Sequence, residues 1–547
     1  MTVIRLAFVA LIVCLAQADA AETLHFVRGG RPLAVRMPRT PWRLEPGHIR
    51  GRGRDFLLAA RGVEAGDFRV TARLRLGVNS AQSGAGFRIG YGFFGLSSTE
   101  SSQIFVNGKL FGGYQDLGPS DRHFKLGDWF ELEVVSRAGK LELLLNGKIV
   151  FERPIDAKRF FDLGFTPWRG VVDLSDFSVL GRTFELPRPS RLGYSIPVVD
   201  LADQKYRQVV VDREAGQYLG HPTTVLLEDD KTLLCVYPKG HGGGGIVLKR
   251  SRDGGLTWSE RLPVPGSWAT SREVPTIFRM TDPMGKKRLV LFSGLYPIRM
   301  SSSEDDGDTW TPLTPIGDFG GIVAMSSVER LETGEYMALF HDDGRFLHAG
   351  HNHLVPRFRV YKVLSTDGGC TWSQPQVVTE DPVAHLCEPG LVRSPGGNQI
   401  AVLLRENSRR LNSFVITSDD EGKTWSKPRQ MSDALTGDRH TARYAPDGRL
   451  FVSFRDTSLV SRTRGDWVAW VGKYQDIIEG HEGQYRVRLM DNHRGLDCAY
   501  PAVELLPDGT FVATTYGHWA RNEKPFIVSV RLKMNELDEL AERLKDG

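Results

Sequence analysis

Glutamate, histidine, arginine and tyrosine recur at two kinds of position along the second half of the chain. One set stands at the starts of short apolar strands: His221, Glu273, Met325, Glu388, His440 and Tyr500. The other stands where the following strands end: Lys239 and His241, Ser293, His341-Asp342-Asp343, Arg405-Glu406, Arg455-Asp456 and Tyr516-Gly-His518. Solvated strand starts seldom collect this many titratable groups, so the two sets predict one polar active site. Gly437-Asp438-Arg439-His440 can contact substrate or form a structural salt bridge, and Tyr516 with His518 is expected to line the pocket. His351-Asn-His353 supplies half a metal site, but no third ligand follows at suitable spacing, so no metal and no cofactor is expected. The glycine run Lys239-Gly-His241-Gly-Gly-Gly-Gly245 lacks the Gly-Lys-Ser/Thr ending of a phosphate loop, and no helix follows it.

The elements that must carry these residues are announced by a repeat. Ser251-Arg-Asp253-Gly-Gly255-Leu-Thr257-Trp258 recurs with its Trp at positions 310, 372 and 425, spacings of 52, 62 and 53 residues. A near-fixed period in this range points to propellers or solenoids. Ser, Asp and Gly suit a tight turn and Trp can pin it, so these motifs are expected to be structural and to lie at the rim. Six pairs of inner strands are predicted: 221–227 with 232–237, 274–280 with 288–292, 325–331 with 336–340, 388–393 with 399–404, 441–445 with 450–454, and 499–505 with 511–515. The last two lack the Trp turn and share Pro-Asp-Gly turns at 446–448 and 507–509. The expected fold is all-β, a six-bladed β-propeller over 201–533, closed by the strand 206–212 and followed by a helical tail at 534–547. Residues 22–185 alternate apolar and polar in short runs with turns such as Asn146-Gly147, which predicts an antiparallel β-sandwich of jelly-roll type. The proline-rich stretch 186–200 reads as a linker.

The S-x-D-x-G-x-T-W pattern resembles the Asp box (BNR repeat) of the sialidase (neuraminidase) superfamily. The run from Leu141 through Asn146-Gly-Lys148 to Val150, with Phe177-Ser-Val179, resembles the concanavalin A-like or laminin-G type of sandwich. Cys387-Glu388-Pro389 followed by Leu403-Leu-Arg405 resembles the sialidase glutamate strand and one arginine of its carboxylate-binding triad. Arg464-Gly-Asp466 resembles the segment of another triad arginine, and Asp497-Cys-Ala-Tyr500 the nucleophile segment. The resemblance implies that Tyr500 attacks, Glu388 takes its proton, and Arg405 with Arg464 grips a substrate carboxylate, with Arg455, Arg439, His440, Asp342 and Tyr516 as further substrate contacts. The chemistry is coherent. A carboxylate nucleophile would be repelled by the carboxylate of a sialic acid, whereas a phenol is not. A phenol near pKa 10 needs a base, and guanidinium forks hold carboxylates bidentately. Blade one departs from the pattern: Leu219-Gly-His221-Pro222 has no arginine, and the loop 239–245 has no acid/base aspartate. His241 and His221 are the candidates to replace them, with Asp342 or Asp343 as an alternative proton donor.

Composition bounds the partners. A net charge of +4 on 547 residues, with no long basic run, argues against nucleic acid. Arg5, the apolar run 6–16 and Ala18-Asp-Ala20 predict a signal peptide over 1–20 and export, to the periplasm or outside the cell. No stretch is long enough to span a bilayer as a helix. The cysteines left after cleavage, at 235, 370, 387 and 498, require no disulfide by their spacing. The expected partner is a glycan bearing an acidic sugar and the expected activity that of an exo-α-sialidase-like hydrolase. The alternatives are a uronate lyase or another glycosidase on the same scaffold, and a non-catalytic glycan-binding protein.

Overall fold

A computed structural model describes residues 23–544 except 37–41, 53–55, 78–83, 98–102, 156, 158, 168–169, 191 and 348–357. The proposed signal peptide and His351-Asn-His353 lie outside the described residues. The chain divides into two compact units that meet in sequence at Leu186 and Pro187.

The first unit is a β-sandwich. A nine-stranded sheet runs through Lys148–Pro154, Lys140–Leu145, Trp129–Arg137, Phe68–Gly77, Val171–Leu180 and Thr23–Arg28, and a seven-stranded sheet lies against it. Period-two patterning explains the layering. Along Phe68–Gly77, Val70, Ala72, Leu74 and Leu76 point inward and pack with Phe87, Phe94 and Ile104. The hairpin joining Lys140–Leu145 to Lys148–Pro154 turns at Asn146 and Gly147, both at positive φ (48° and 75°), which Asn-Gly tolerates best.

The second unit is a ring of six sheets. The inner strands are Thr223–Leu226, Pro275–Thr281, Ile322–Arg330, Leu386–Arg393, Gly437–Tyr444 and Ala502–Leu505. Each meets the next, and the sixth meets the first, so the ring closes as a six-bladed β-propeller. Hydroxyls stitch these strands together: Thr223 donates to the Pro275 carbonyl (2.5 Å), Ser327 to that of Pro389 (2.9 Å) and Thr441 to that of Pro501 (2.7 Å). The outer strand of blade six is Gln208–Asp212, paired antiparallel with Phe526–Lys533, so a strand from the start of the unit locks onto the last one, while Val198–Asp200, within the stretch expected to be a linker, adds a parallel edge strand to blade five beside Tyr485–Met490.

The Trp turns explain the period. In each, a Ser hydroxyl accepts from a Gly N–H, and the Asp carboxylate accepts from the Thr N–H and hydroxyl; in blade two, Ser303 accepts from Gly307 (2.8 Å) and Asp305 from both groups of Thr309 (2.9 and 2.5 Å). The Gly at the bottom of each turn presses on the preceding blade. A Cβ at Gly307 would lie 2.6 Å from Leu234, at Gly369 2.3 Å from Met280, and at Gly422 2.7 Å from Met337. The blade-one turn meets blade six, where Arg531 donates to the Gly254 carbonyl. Blades five and six staple themselves differently. The helix Tyr474–Glu479 touches blade four through Tyr474 to Gln399 (2.8 Å), and the helix Met534–Arg543 touches blade five through Asp538 to Arg449 (2.7 Å) and Tyr485 (2.7 Å). The tail therefore does in blade six what the Trp turn does in blades one to four.

Asp305→Ala is expected to lower stability by about 1 kcal/mol with the site untouched, because it removes acceptors from one turn only. Hydrogen bonds from the Thr309 hydroxyl and N–H hold the Asp305 carboxyl down at about 2. This stabilisation is complete above the unfolded carboxylate pKa and is lost as pH falls through the folded value. Thermal melts should therefore converge for wild type and variant toward pH of about 2; a gap that stays constant would exclude the carboxylate as the source.

Candidate active site

The inner strands enter the ring through kinks. His221, Glu388 and Arg439 have φ of 51°, 50° and 59°, where a non-glycine residue is strained. Pairing slips between Cys387 and Gly390 and between Asp438 and Thr441. Such bulges re-aim side chains, and here the strained residues stand around the Tyr500 side chain. The second strands bring Arg405, Arg455 and Tyr516 from their ends to the same place.

At the centre, the Tyr500 hydroxyl donates to Glu388 Oε1 in a short hydrogen bond. Arg405 Nη1 reaches both groups, 2.5 Å from Glu388 Oε1 and 3.1 Å from the Tyr500 oxygen. All three side chains are buried or nearly so. Glu388 Oε2 is also buried and has no hydrogen-bond partner among the described residues, an unusual condition for a carboxylate. Burial first, then the charge of Glu388, pushes the Tyr500 phenol well above its ordinary pKa, while Arg405 and Arg455 oppose the shift. Tyr500 is thus a neutral phenol already bonded to a base, with a guanidinium placed to receive the charge it would develop.

Guanidinium groups outnumber carboxylates around this pair. Asp438, fully buried, pairs with Arg405 (3.0 Å), Arg409 (2.7 Å) and Arg455 (2.9 Å). Burial pushes its carboxyl up, but the three cations outweigh this and hold it below the usual range. Arg455 also donates to the Cys498 carbonyl (2.5 Å) and lies 5.3 Å from the centre of the Tyr500 ring. Arg439 is buried and donates to the Ser326 carbonyl (2.6 Å), and among the described residues no carboxylate forms an ion pair with it. Burial pulls its pKa down, with Glu388 and Tyr500 opposing. Arg405, Arg409 and Arg455 thus share Asp438, Arg405 also meets Glu388, and Arg439 has no ion pair among the described residues, so an anionic ligand would complete the balance.

Histidines and tyrosines form the opposite wall. His221 is buried with its ring 4.5 Å from that of Tyr500. Its Nδ1 accepts from the Gly242 N–H (3.1 Å), so the proton sits on Nε2, which faces the Tyr516 hydroxyl at 3.1 Å. Burial drives its pKa well down, so the ring is a neutral platform. His241 stands in the glycine loop with its side chain 66% exposed. Tyr218 donates its proton to Asp497 (2.6 Å), so the Tyr218 oxygen accepts from His241 Nδ1 (2.7 Å). That leaves His241 Nε2 open, a geometry that would suit a carboxylate-oriented acid/base. Burial pushes the Asp497 carboxyl up, but His241, Tyr218 and His518 together hold it below its usual range. His518 Nε2 lies 2.9 Å from the other Asp497 oxygen.

The structure therefore brings together Tyr500, Glu388, Arg405, Arg455, Arg439, Tyr516, His221 and His241, and places three other sequence candidates apart. Arg464 is exposed and donates to the carbonyls of Thr457 (2.7 Å) and Ser458 (2.6 Å) in its own loop. His440 points away from Arg439, with Nε2 on the Leu435 carbonyl (2.8 Å) and its ring against Phe454. Asp342 caps a turn by accepting from Gly344, Phe346 and Leu347. Three participants have no individual role in the sequence reading. Asp438 lies in the segment 437–440 read as a substrate contact or a structural salt bridge, and it forms the salt bridges; Asp497 lies in the segment of Tyr500, and only its burial among histidines marks it; Tyr218 carries no sequence signal. Glu273 lies nearby, its carboxylate accepting from the N–H groups of Val274 (3.1 Å) and Val323 (3.0 Å), and burial pushes its pKa up. His341 is buried behind Glu388 and pushed down to about 3, chiefly by burial. Cys235, Cys387 and Cys498 are buried free thiols and Cys370 an exposed one.

Residues 293–512 match the family described as BNR repeat-like domain, a stretch running from the second strand of blade two into the second strand of blade six. No curated protein matches the chain. Among solved structures, a protein of unknown function from Dyadobacter fermentans is 14% identical, with a TM-score of 0.48 over 60% of this chain and 98% of that one. The NanB sialidase from Streptococcus pneumoniae is 14% identical, with a TM-score of 0.43 over 88% of this chain and 99% of that one. The leech intramolecular trans-sialidase is 14% identical, with a TM-score of 0.42 over 88% and 98%.

Proposed function

We propose that this protein is a glycoside hydrolase of sialidase type that releases a terminal acidic sugar from a glycan. The observation that carries the reading is the Tyr500–Glu388–Arg405 cluster within an excess of buried guanidinium groups. A carboxylate on the anomeric carbon would lie among Arg405, Arg439 and Arg455, gripped by charge-assisted hydrogen bonds. Tyr500 Oη attacks the anomeric carbon while Glu388 takes its proton, and the glycosidic C–O bond breaks. Protonated His241, oriented by Asp497 and Tyr218, delivers a proton from Nε2 to the leaving oxygen. Water then attacks the tyrosyl glycoside, His241 accepts its proton, and Glu388 returns the proton to the departing phenolate. His221, held neutral, keeps the Tyr500 ring in place. The N-terminal sequence supports action outside the cytoplasm.

Turnover of a fluorogenic α-sialoside, followed by a panel of other α-linked acidic-sugar glycosides, tests the reading. Failure on all of them would remove the hydrolase proposal, and an ultraviolet-absorbing unsaturated product from a uronate polymer would replace it with the lyase. Arg439→Ala should weaken binding of the free acidic sugar by about 2 kcal/mol, roughly 30-fold in Kd. The same change should leave the melting temperature unchanged or higher, because it removes a buried cation that has no ion-pair partner among the described residues. Calorimetric titration beside thermal melts separates this from a structural role, which would lower the melting temperature.

A further inference from the structure

His518, which reaches Asp497 beside the Tyr500 cluster, also lines a groove of about 470 Å³ together with His493, Arg494, Arg521, Glu523 and Lys524. Two loops build it. The His493 N–H donates to the His518 carbonyl (3.1 Å), and buried Asn492 binds both sides, accepting from the His518 N–H (3.1 Å) and donating to the Gly465 and Gly495 carbonyls (3.1 and 3.0 Å). The groove is therefore held by the backbone and not by its cationic side chains, which are free to serve a ligand.

Its charge is one-sided. Among the described residues, Arg494, Arg521 and Lys524 form no ion pair, and all three are exposed along one groove. The single acidic wall residue, Glu523, is already engaged by Arg213 in a forked pair (2.6 and 3.0 Å). His518 links the groove to the chemistry: its Nε2 meets Asp497, which accepts from Tyr218, the contact of His241. If His241 protonates the leaving oxygen, the groove lies on the side to which the leaving group departs.

We propose that this groove is an anion subsite for the leaving group, so that the natural substrate carries a second negative charge, as a carboxylate or a sulfate ester, on the sugar beyond the scissile bond. This rests on the hydrolase reading for its direction but not for the existence of the site. An acidic sugar linked to a neutral one would fill the Tyr500 pocket and leave three cations unused. One linked to an anionic sugar would satisfy both.

The test uses the full chain and a triple variant, Arg494→Ala with Arg521→Ala and Lys524→Ala, none of which touches the Tyr500 cluster. Calorimetry at low salt with a trisulfated disaccharide tests the groove alone. Wild type should bind it, roughly tenfold or more tighter than the triple variant, with the difference shrinking as salt is raised. Equal binding by both proteins, or none by wild type, overturns the subsite. Kinetics then compare an α-linked disialoside with sialyllactose, which share the terminal sugar but differ in the charge of the leaving group. Wild type should prefer the disialoside in kcat/KM, and the triple variant should lose that preference while keeping its rate on sialyllactose. Absence of a preference in wild type also overturns the subsite. If neither glycoside is cleaved while the sulfated disaccharide still discriminates the two proteins, the hydrolase reading fails and the anion site stands.

Discussion

Tyr500→Phe is expected to lower kcat by roughly 10³-fold or more while leaving the Kd for the free acidic sugar within a few-fold of wild type. The substitution removes one oxygen and nothing else. The ring would still lie 5.3 Å from the Arg455 guanidinium and 4.5 Å from the His221 ring, and Arg405 would still hold Glu388 at 2.5 Å. The carboxylate grip is therefore kept and the nucleophile is lost. A rate near that of wild type would exclude attack by the phenol. Loss of binding together with rate would instead mean that the Tyr500 hydroxyl, through its bond to Glu388, organises the arginines.

Asp438→Asn is expected to produce the largest loss of stability of any substitution at the site, about 3–5 kcal/mol, read as a fall in the denaturation midpoint. Asp438 is fully buried and its two oxygens face Arg405, Arg409 and Arg455. An amide keeps the shape but leaves these cations facing a neutral group, with Arg405 and Arg455 too enclosed for water to compensate. The same change frees Arg405 from its second carboxylate, so whatever fraction folds should also hold Glu388 and Tyr500 less well. An unchanged midpoint would show that the arginines are balanced by something other than Asp438.

The two substitutions differ in how they could be foreseen. Tyr500 stands in a segment whose neighbours, Asp497-Cys-Ala before it and a Pro-Asp-Gly turn after it, single it out in the sequence. Asp438 is one of many acidic residues, and its weight comes from three arginines that arrive from positions 405, 409 and 455. A contact between residues far apart in sequence leaves no trace in local composition. The choice among arginines is of the same kind. Arg464 sits in a suggestive segment, yet its guanidinium serves its own loop, whereas Arg439 enters the site because a kink at φ 59° directs it there and sends His440 to Phe454. One residue of register separates the two outcomes, and no pattern of residue types reveals a bulge of that size.

What the sequence determined by itself is whatever depends on periodicity. Alternation of apolar residues set the sandwich strands, because burial on one face requires period two. The recurring Trp turns set the blades, because each turn seats its glycine against the blade before it, and that seat must recur once per blade. Tertiary structure alone decided which charged side chains share an enclosure. It turned Asp438 and Asp497 into the hubs of the arginine and histidine clusters, made His221 a neutral wall and His241 an exposed, oriented ring, and left Arg494, Arg521 and Lys524 of the neighbouring groove without an ion pair among the described residues. The physical reason is desolvation. The state of an ionisable group depends on what surrounds it in space, and in a closed ring those surroundings come from every blade at once.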